Sequence, residues 1–533
     1  MPLPTLTPTD DRGVATDSVV LVIYAPFGND DVLSTYPEGT STELTEHPLY
    51  NALVDVAKQG AHVVALIDRV HHDTVLVQIQ GGKPASAVTV SRWKQDMASP
   101  HTLAGLLALA HQRHPDAAVV LTMEGHGAGY LPELDRRNIT QGSVTQVTTT
   151  DGKQQVGWLV NADSASPVLP SGSPILPSGS PILPSGSPIL PSGSPILPAS
   201  FMPMSTWGIG HALKLAEDAG VPKVSVIHFN NCFNMAVELL HTVAPFAEFA
   251  TGYANYNFFT SGESYPQIFK RLRLHGAVKA GELARWFAQA NHKVLEAKGN
   301  HPTSGSVVDL SRMKELAELV DDLADALLAE LRAATGNARK NLVAAIASAI
   351  KAAQQFDTAG TDFELETPDS LTDLMSFAAA LQELPATTFS LSTVMPAAKA
   401  LQSALMGVKQ YGDDERPWLV PVQSGVVWNF SSPNLAMNIF LPDPDLSGLW
   451  DWRSPFYMAV DAESDRPLVQ PHVIDFLKVT DWVDFIKELH REVPFVGLLP
   501  AAIPTYPVFN AAYEPKREYK GPSCHPPYRT TGR

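Results

Sequence analysis

Two apolar runs of the same design each end at a side chain capable of covalent or proton-transfer chemistry. AAVVLTMEGHGAGY delivers His126 followed by Gly127, and KVSVIHFNNCFNM delivers Cys232. A thiol attacks only as its thiolate, and a neighbouring imidazole is a common way to obtain one near neutral pH. His126 and Cys232 are therefore the candidate proton carrier and nucleophile of acyl chemistry, and they need to meet in space, not in sequence. Gly127 lets a substrate approach the backbone closely, and its amide with that of Cys232 makes a candidate oxyanion donor pair. Taken singly each residue has an ordinary reading: a cysteine after a strand is a small buried apolar group, and a lone His-Gly is a weak signal. Their shared position is what carries the inference.

That position demands adjacent parallel strands, because open α/β sheets place their sites at the strands' carboxyl edge. The surrounding sequence supplies them. SVVLVIYAP, AHVVALID and TVLVQIQGG read as strands, HPLYNALVDVAKQG and SPHTLAGLLALAHQRHP as helices, STWGIGHALKLAEDAG as a further helix, and VSVIHF as the strand into Cys232. Strand and helix alternate from Val19 to Glu238, the pattern of a doubly wound parallel sheet. Beyond Gly276 the chain turns Ala/Leu-rich, and LSRMKELAELVDDLADALLAELRAA carries apolar residues at amphipathic helical spacing. NLAMNIFLPDP reads as one more buried strand and VTDWVDFIKELH as a closing helix.

Between the two reactive residues lie four consecutive PSGSPIL units, Pro170 to Leu197. Two prolines and a glycine per heptad preclude a central strand or a helix, so an extended, solvated, polyproline-like loop is expected. Closing so long a loop is cheap, each doubling costing about 0.6 kcal/mol.

The chain has 533 residues, 44% of them hydrophobic, enough for a large core. With 38 basic against 55 acidic residues the formal charge is −17, which argues against nucleic acid and anionic membrane as partners. No apolar run approaches the roughly 20 residues of a transmembrane helix. Two cysteines, Cys232 and Cys524, do not imply a disulfide framework. The N-terminus lacks a basic segment followed by an apolar stretch, so the chain reads as cytoplasmic, or as secreted if a signal is missing from it.

The residues resemble the clostripain family of cysteine endopeptidases, relatives of caspases, legumains and gingipains. The resemblance rests on the order of the first strand with Asn29-Asp30, the strand with Asp68-Arg69, the lead-in to His126-Gly127, FNNCFNMAVE with Glu238 six residues after Cys232, VVDLSRMKELAELVDDLADAL, NLAMNIFLPDP and TDWVDFIKEL. It implies an α/β fold, a caspase-like, mostly parallel β-sheet flanked by helices, with a helical C-terminal region. It also implies His126 as general base or acid and Cys232 as nucleophile toward a peptide or protein substrate, through an acyl-enzyme. Family members usually carry Asp two residues before the Cys, where this chain has Asn230, and Trp-Asp before the His, where it has Glu124-Gly125. The segment after the next strand is also altered, to Gly252-Tyr253. An acidic pocket floor selects a basic P1 residue by charge pairing, which a neutral amide does only as a dipole. Asn230 therefore reads either as a substrate-binding residue or as a cap on the loop before Cys232. The resemblance further implies a self-cleaved loop between His126 and Cys232, around residues 136 to 200, with Arg136, Arg137 and Lys153 as candidate sites. The competing reading is a catalytically inactive relative that binds peptides or partners; a third is an amidase or transpeptidase using the same dyad.

No cofactor is expected, although relatives make calcium a candidate ligand of Asn29, Asp30 and Asp31. His71-His72-Asp73 lacks a second cluster at zinc-like spacing and reads as a solvated turn. The expected organisation is a disordered segment 1–17, a catalytic core 18–270 containing the repeat loop 167–199, a mainly helical region 271–410, a final strand and helix 411–492, and a Pro-rich tail 493–533, in a monomer.

Overall fold

The computed structural model describes residues 13–15, 18–27, 43–69, 74–82, 88–93, 97, 99–125, 127, 129–131, 144–148, 154–158, 204–255, 257, 260–298, 304–356, 371–385, 387–410, 418–419, 437–444, 457, 472–491 and 499–500. The PSGSPIL repeat, Asn29 to Asp31, His71 to Asp73, Arg136, Arg137, Lys153 and His126 itself lie outside them.

Five strands form a parallel centre: β2 (Val19–Pro26), β3 (His62–Asp68), β6 (Ala118–Glu124), β9 (Val224–Asn230) and β10 (Ala247–Tyr253). They run in the order β10-β9-β6-β2-β3, every neighbouring pair parallel. Their near-continuous Val/Ile/Leu/Ala character follows from burial on both faces. Along β2, Val20, Val22 and Tyr24 enter one apolar cluster while Val19, Leu21, Ile23 and Ala25 enter the other, the period-two alternation of a strand.

The edges are antiparallel. β4 (Val75–Ile79) and β5 (Val88–Arg92) extend the sheet beyond β3, and β12 (Ser304–Asp309), with β14 (Lys409–Gln410) and β15 (Trp418–Leu419), extends it beyond β10. The uniformly parallel alternation expected to Glu238 therefore stops at β3. Six residues, 69–74, link β3 to β4, and a parallel return needs a crossover of a dozen or more. Gly13–Ala15, expected within a disordered N-terminus, forms β1, paired antiparallel with β11 (Ala277–Lys279). In the interval expected to be a loop, β7 (Val144–Thr148) pairs antiparallel with β8 (Gln154–Trp158).

Helices α1 (Pro48–Lys58), α5 (Tyr265–His275) and α6 (Ala280–Lys298) contribute to the apolar cluster on one face of the sheet; α2 (Pro100–Arg113), α3 (Thr206–Asp218) and α4 (Val237–Val243) contribute to the other. Pro at the first turn of α1 and α2, and Ser205 accepting from Gly208 N at 2.8 Å at the start of α3, are the N-terminal signals that the sequence displays. The helical region follows: α7 (Met313–Ala333), α8 (Gly336–Ala352), α9 (Leu374–Gln382), α10 (Val394–Val408), then α11 (Asp475–Val479) and α12 (Trp482–Leu489). α7 packs against both α10 and α12. The late strand, β16 (Asn438–Phe440), stands outside the main sheet and pairs with β13 (Leu371–Asp373). Among the described residues no helix is long and apolar enough to cross a membrane.

Candidate active site

β6 and β9 are adjacent and parallel, in register from Val120 against Val226 to Glu124 against Asn230. Both reactive residues therefore follow neighbouring strands at the same edge, two residues beyond the last pair.

Cys232 is buried in a bend after β9. The bend is sharp: Phe233 has φ +59, a left-handed conformation that side chains other than glycine's rarely adopt. Such strain persists where the surroundings over-determine it. Here Phe233 N donates to Asn255 O at 2.9 Å, and Met235 N to Tyr253 O at 3.0 Å. Asn438 of β16 adds a second set, its Nδ2 donating to Phe233 O and to Ala254 O, each at 2.7 Å, and its backbone N to Met235 O at 3.0 Å. Glu238 in α4 accepts from Phe440 N at 2.9 Å and from Tyr457 Oη at 3.1 Å, fixing β16 to the helix behind the bend.

The segment after β6 is laid directly on this bend. A Cβ at Gly127 would stand 2.1 Å from the carbonyl oxygen of Cys232 and 3.0 Å from Asn231 Cγ, so only glycine fits. Two residues on, Gly129 at φ +68 donates its N–H to Asn234 Oδ1 at 3.2 Å. The two expected partner segments thus interlock through backbone, with His126 between Gly125 and Gly127.

The sulfur of Cys232 is 3.3 Å from Asn257 O and accepts from Asn257 N–H at 3.4 Å. The chain's other cysteine, Cys524, lies outside the described residues.

Asn230 is enclosed rather than facing an open pocket. Its Nδ2 donates to Glu124 Oε2 at 2.7 Å, and its Oδ1 accepts from Asn257 Nδ2 at 2.9 Å, with Thr260 Oγ1 and Asn291 Nδ2 each 3.3 Å away. Glu124 also accepts from Thr122 Oγ1 at 3.2 Å and from the Tyr265 hydroxyl. Burial raises the Glu124 carboxyl to about 7 against these hydrogen bonds, which favour the charged form. Sequence reasoning missed Glu124 as a site residue, although a carboxylate at the end of an apolar run is a readable anomaly. Asn291 was equally readable: it falls on the stripe of Leu283, Ala284, Phe287, Ala288 and Leu295 that α6 buries.

Among the described residues, no group of three or more His, Cys, Asp or Glu is placed to hold a metal ion. Asp68, expected at a strand end, accepts from Thr74 Oγ1 at 2.8 Å, and Arg69 beside it is buried.

A family model described as the clostripain family matches residues 203–488. No curated protein matches the chain. Among solved structures, the chain is similar to a secreted C11 cysteine protease from Bacteroides thetaiotaomicron in complex with an irreversible peptide inhibitor, at 12% identity and TM-score 0.50, covering 87% of this chain and 99% of that one. It is also similar to an inactive zymogen C11 protease from Parabacteroides distasonis, at 13% identity and TM-score 0.46, covering 84% and 100%. The first likeness supports the fold, a helix-flanked sheet with a parallel centre. A family match over more than half of the sequence, on a fold that lays Gly127 against Cys232, places this chain in the clostripain family of cysteine peptidases, a family of hydrolases.

Proposed function

We propose that the chain is a cysteine endopeptidase in which Cys232 attacks a peptide carbonyl and His126 moves the protons. The observation that carries the reading is the contact of Gly127, which follows His126 in sequence, with the Cys232 carbonyl, so close that it leaves no room for a Cβ.

The chemistry starts from the reduced protein, because only a thiol can ionise to the attacking thiolate. His126 takes the Cys232 thiol proton, and the Asn257 N–H is directed at the sulfur. The thiolate forms a carbon–sulfur bond, and the carbonyl oxygen takes the negative charge, met by the N–H groups of Gly127 and Cys232. Collapse expels the amine, which takes a proton from His126, leaving a thioester. Water then gives a proton to His126 as its oxygen attacks the thioester, and the thiolate departs with the acid product released. Peptides and proteins are the substrates, and cleavage of the chain itself after Arg136, Arg137 or Lys153 is the expected maturation step. The reading is compatible with a cytoplasmic or a secreted setting.

A second reading, an inactive relative that binds peptides, is favoured by the burial of Cys232. Profiling a positional peptide library with reduced wild type and Cys232→Ala separates the two. Turnover by the wild type alone is expected; equal, background cleavage by both proteins establishes the binding reading instead. Mass spectrometry of the same pair tests self-processing, which an intact wild-type chain under conditions of peptide turnover would exclude.

A further inference from the structure

Glu124 and Asn230 are the last paired residues of β6 and β9, and each precedes a reactive side chain by two positions. We propose that they are positioning residues whose carboxylate–amide bond ties the carboxyl ends of the two strands and sets the separation of His126 and Cys232. The proposal rests on the dyad reading above.

Backbone pairing between the strands ends at this point. One residue beyond Glu124, Gly125 turns at φ +96, and three beyond Asn230, Phe233 turns at φ +59. The sheet's own ladder therefore does not reach residues 126 and 232. The contacts of Gly127 with Cys232 and of Gly129 with Asn234 tie the two segments on the far side of the reactive residues. The bond of 2.7 Å between Asn230 Nδ2 and Glu124 Oε2 ties them on the near side. His126 and Cys232 are thus bracketed in sequence, and loss of the near tie leaves only the end of the backbone ladder, at Glu124 and Asn230, on that side.

The bond has a fixed polarity. The amide oxygen of Asn230 accepts from Asn257 Nδ2 at 2.9 Å, so its nitrogen is turned toward Glu124. The other oxygen of Glu124 is held by Thr122 and Tyr265. Glu124 and Asn230 are each 1% exposed, so water cannot replace a lost partner. Asn257 also carries the N–H directed at the Cys232 sulfur, so the pair is two hydrogen bonds from the nucleophile.

Asn230→Asp tests this. It sets two carboxylates against each other where one carboxylate met an amide, and at that distance they share a proton or move apart. In reduced protein at pH 8 we expect kcat to fall about tenfold or more, with KM changed less than about threefold, as misplacement of reacting groups does. Adding Glu124→Gln restores an amide–carboxylate bond with its polarity reversed and should return kcat to within about threefold of wild type. The rate of Cys232 alkylation by iodoacetamide, which needs no turnover, should follow the same order. If Asn230→Asp does not fold, Asn230→Ser carries the same comparison, lowering kcat and alkylation with KM held. Wild-type kcat and alkylation in the single variant, or a double variant no better than the single, would overturn the proposal. A wild type without turnover, whose alkylation is slowed by Asn230→Asp and recovered in the double variant, would sink the peptidase reading and leave the pair standing.

Discussion

Gly127→Ala is the most direct perturbation of the arrangement. The new methyl carbon would lie 2.1 Å from Cys232 O, against a floor of 3.0 Å below which real Cβ contacts essentially never fall, so the segments must part by at least 0.9 Å. The obstacle is backbone, not a side-chain tip that can swing away, and Asn231 Cγ at 3.0 Å closes the lateral escape. A displacement of about 1 Å between reacting groups costs on the order of a hundredfold in rate. Overpacking of this kind destabilises by about 1–3 kcal/mol. Steady-state kinetics on a peptide found by library profiling, with reduced protein, should show that loss in kcat, and urea unfolding should show the matching loss of stability. Gly13→Ala is the control, since a Cβ there meets nothing within 4 Å, and it should change neither quantity. A Gly127→Ala protein with kcat within twofold of wild type would refute the claim that this contact sets the site.

Two further outcomes follow from the buried polar groups. Asn438→Ala removes the donor to the carbonyls of Phe233 and Ala254, and at about 0.5–1.5 kcal/mol for each hydrogen bond lost, urea unfolding should report a loss of about 1–3 kcal/mol, with slower alkylation of reduced Cys232. Stability should depend on pH with two opposed contributions. Burial lowers His228 to about 3, and His114 and His490 to about 4, so below pH 6.5 the unfolded chain binds protons that the fold refuses, and stability falls as the pH drops from 6.5 toward 4. Glu124, raised from 4.5 to about 7, acts in the opposite sense: its contribution is full below pH 4.5 and is lost as the pH rises through 7. Thermal midpoints between pH 4 and 8 should therefore decline less on the alkaline side in Glu124→Gln than in wild type; identical profiles would contradict the burial of an ionisable carboxyl at this position.

The parallel centre of the sheet was legible because strands buried on both faces are near-continuously apolar, and the runs leading to Asp68, Glu124 and Asn230 are so, with Thr122, Ser225 and His228 as interruptions. Strand direction at the edges was not in the hydrophobic pattern. It was in the connection length, since the six residues from Arg69 to Thr74 leave no room for a crossover. The pairing of Gly13–Ala15 with Ala277–Lys279 had no local signal, because three residues bonding to a segment far along the chain show no periodicity of their own. At the site, sequence reasoning found the two segments and read Asn230 through the charge it lacks. It did not see that position 124 faces position 230 in register, so a carboxylate is present across the strand pair. Strand register decides that, and register comes from the whole sheet.

The hold of Asn438 on Phe233 spans 205 residues of sequence. Contacts of such separation close late, because the entropy of a long loop is spent before any bond repays it. During synthesis the strand bearing the Cys232 bend leaves the ribosome long before Asn438 does. A nascent chain can therefore assemble the parallel centre of its sheet while the bend at Cys232 still lacks these two hydrogen bonds, and that bend is completed only once most of the protein has been made.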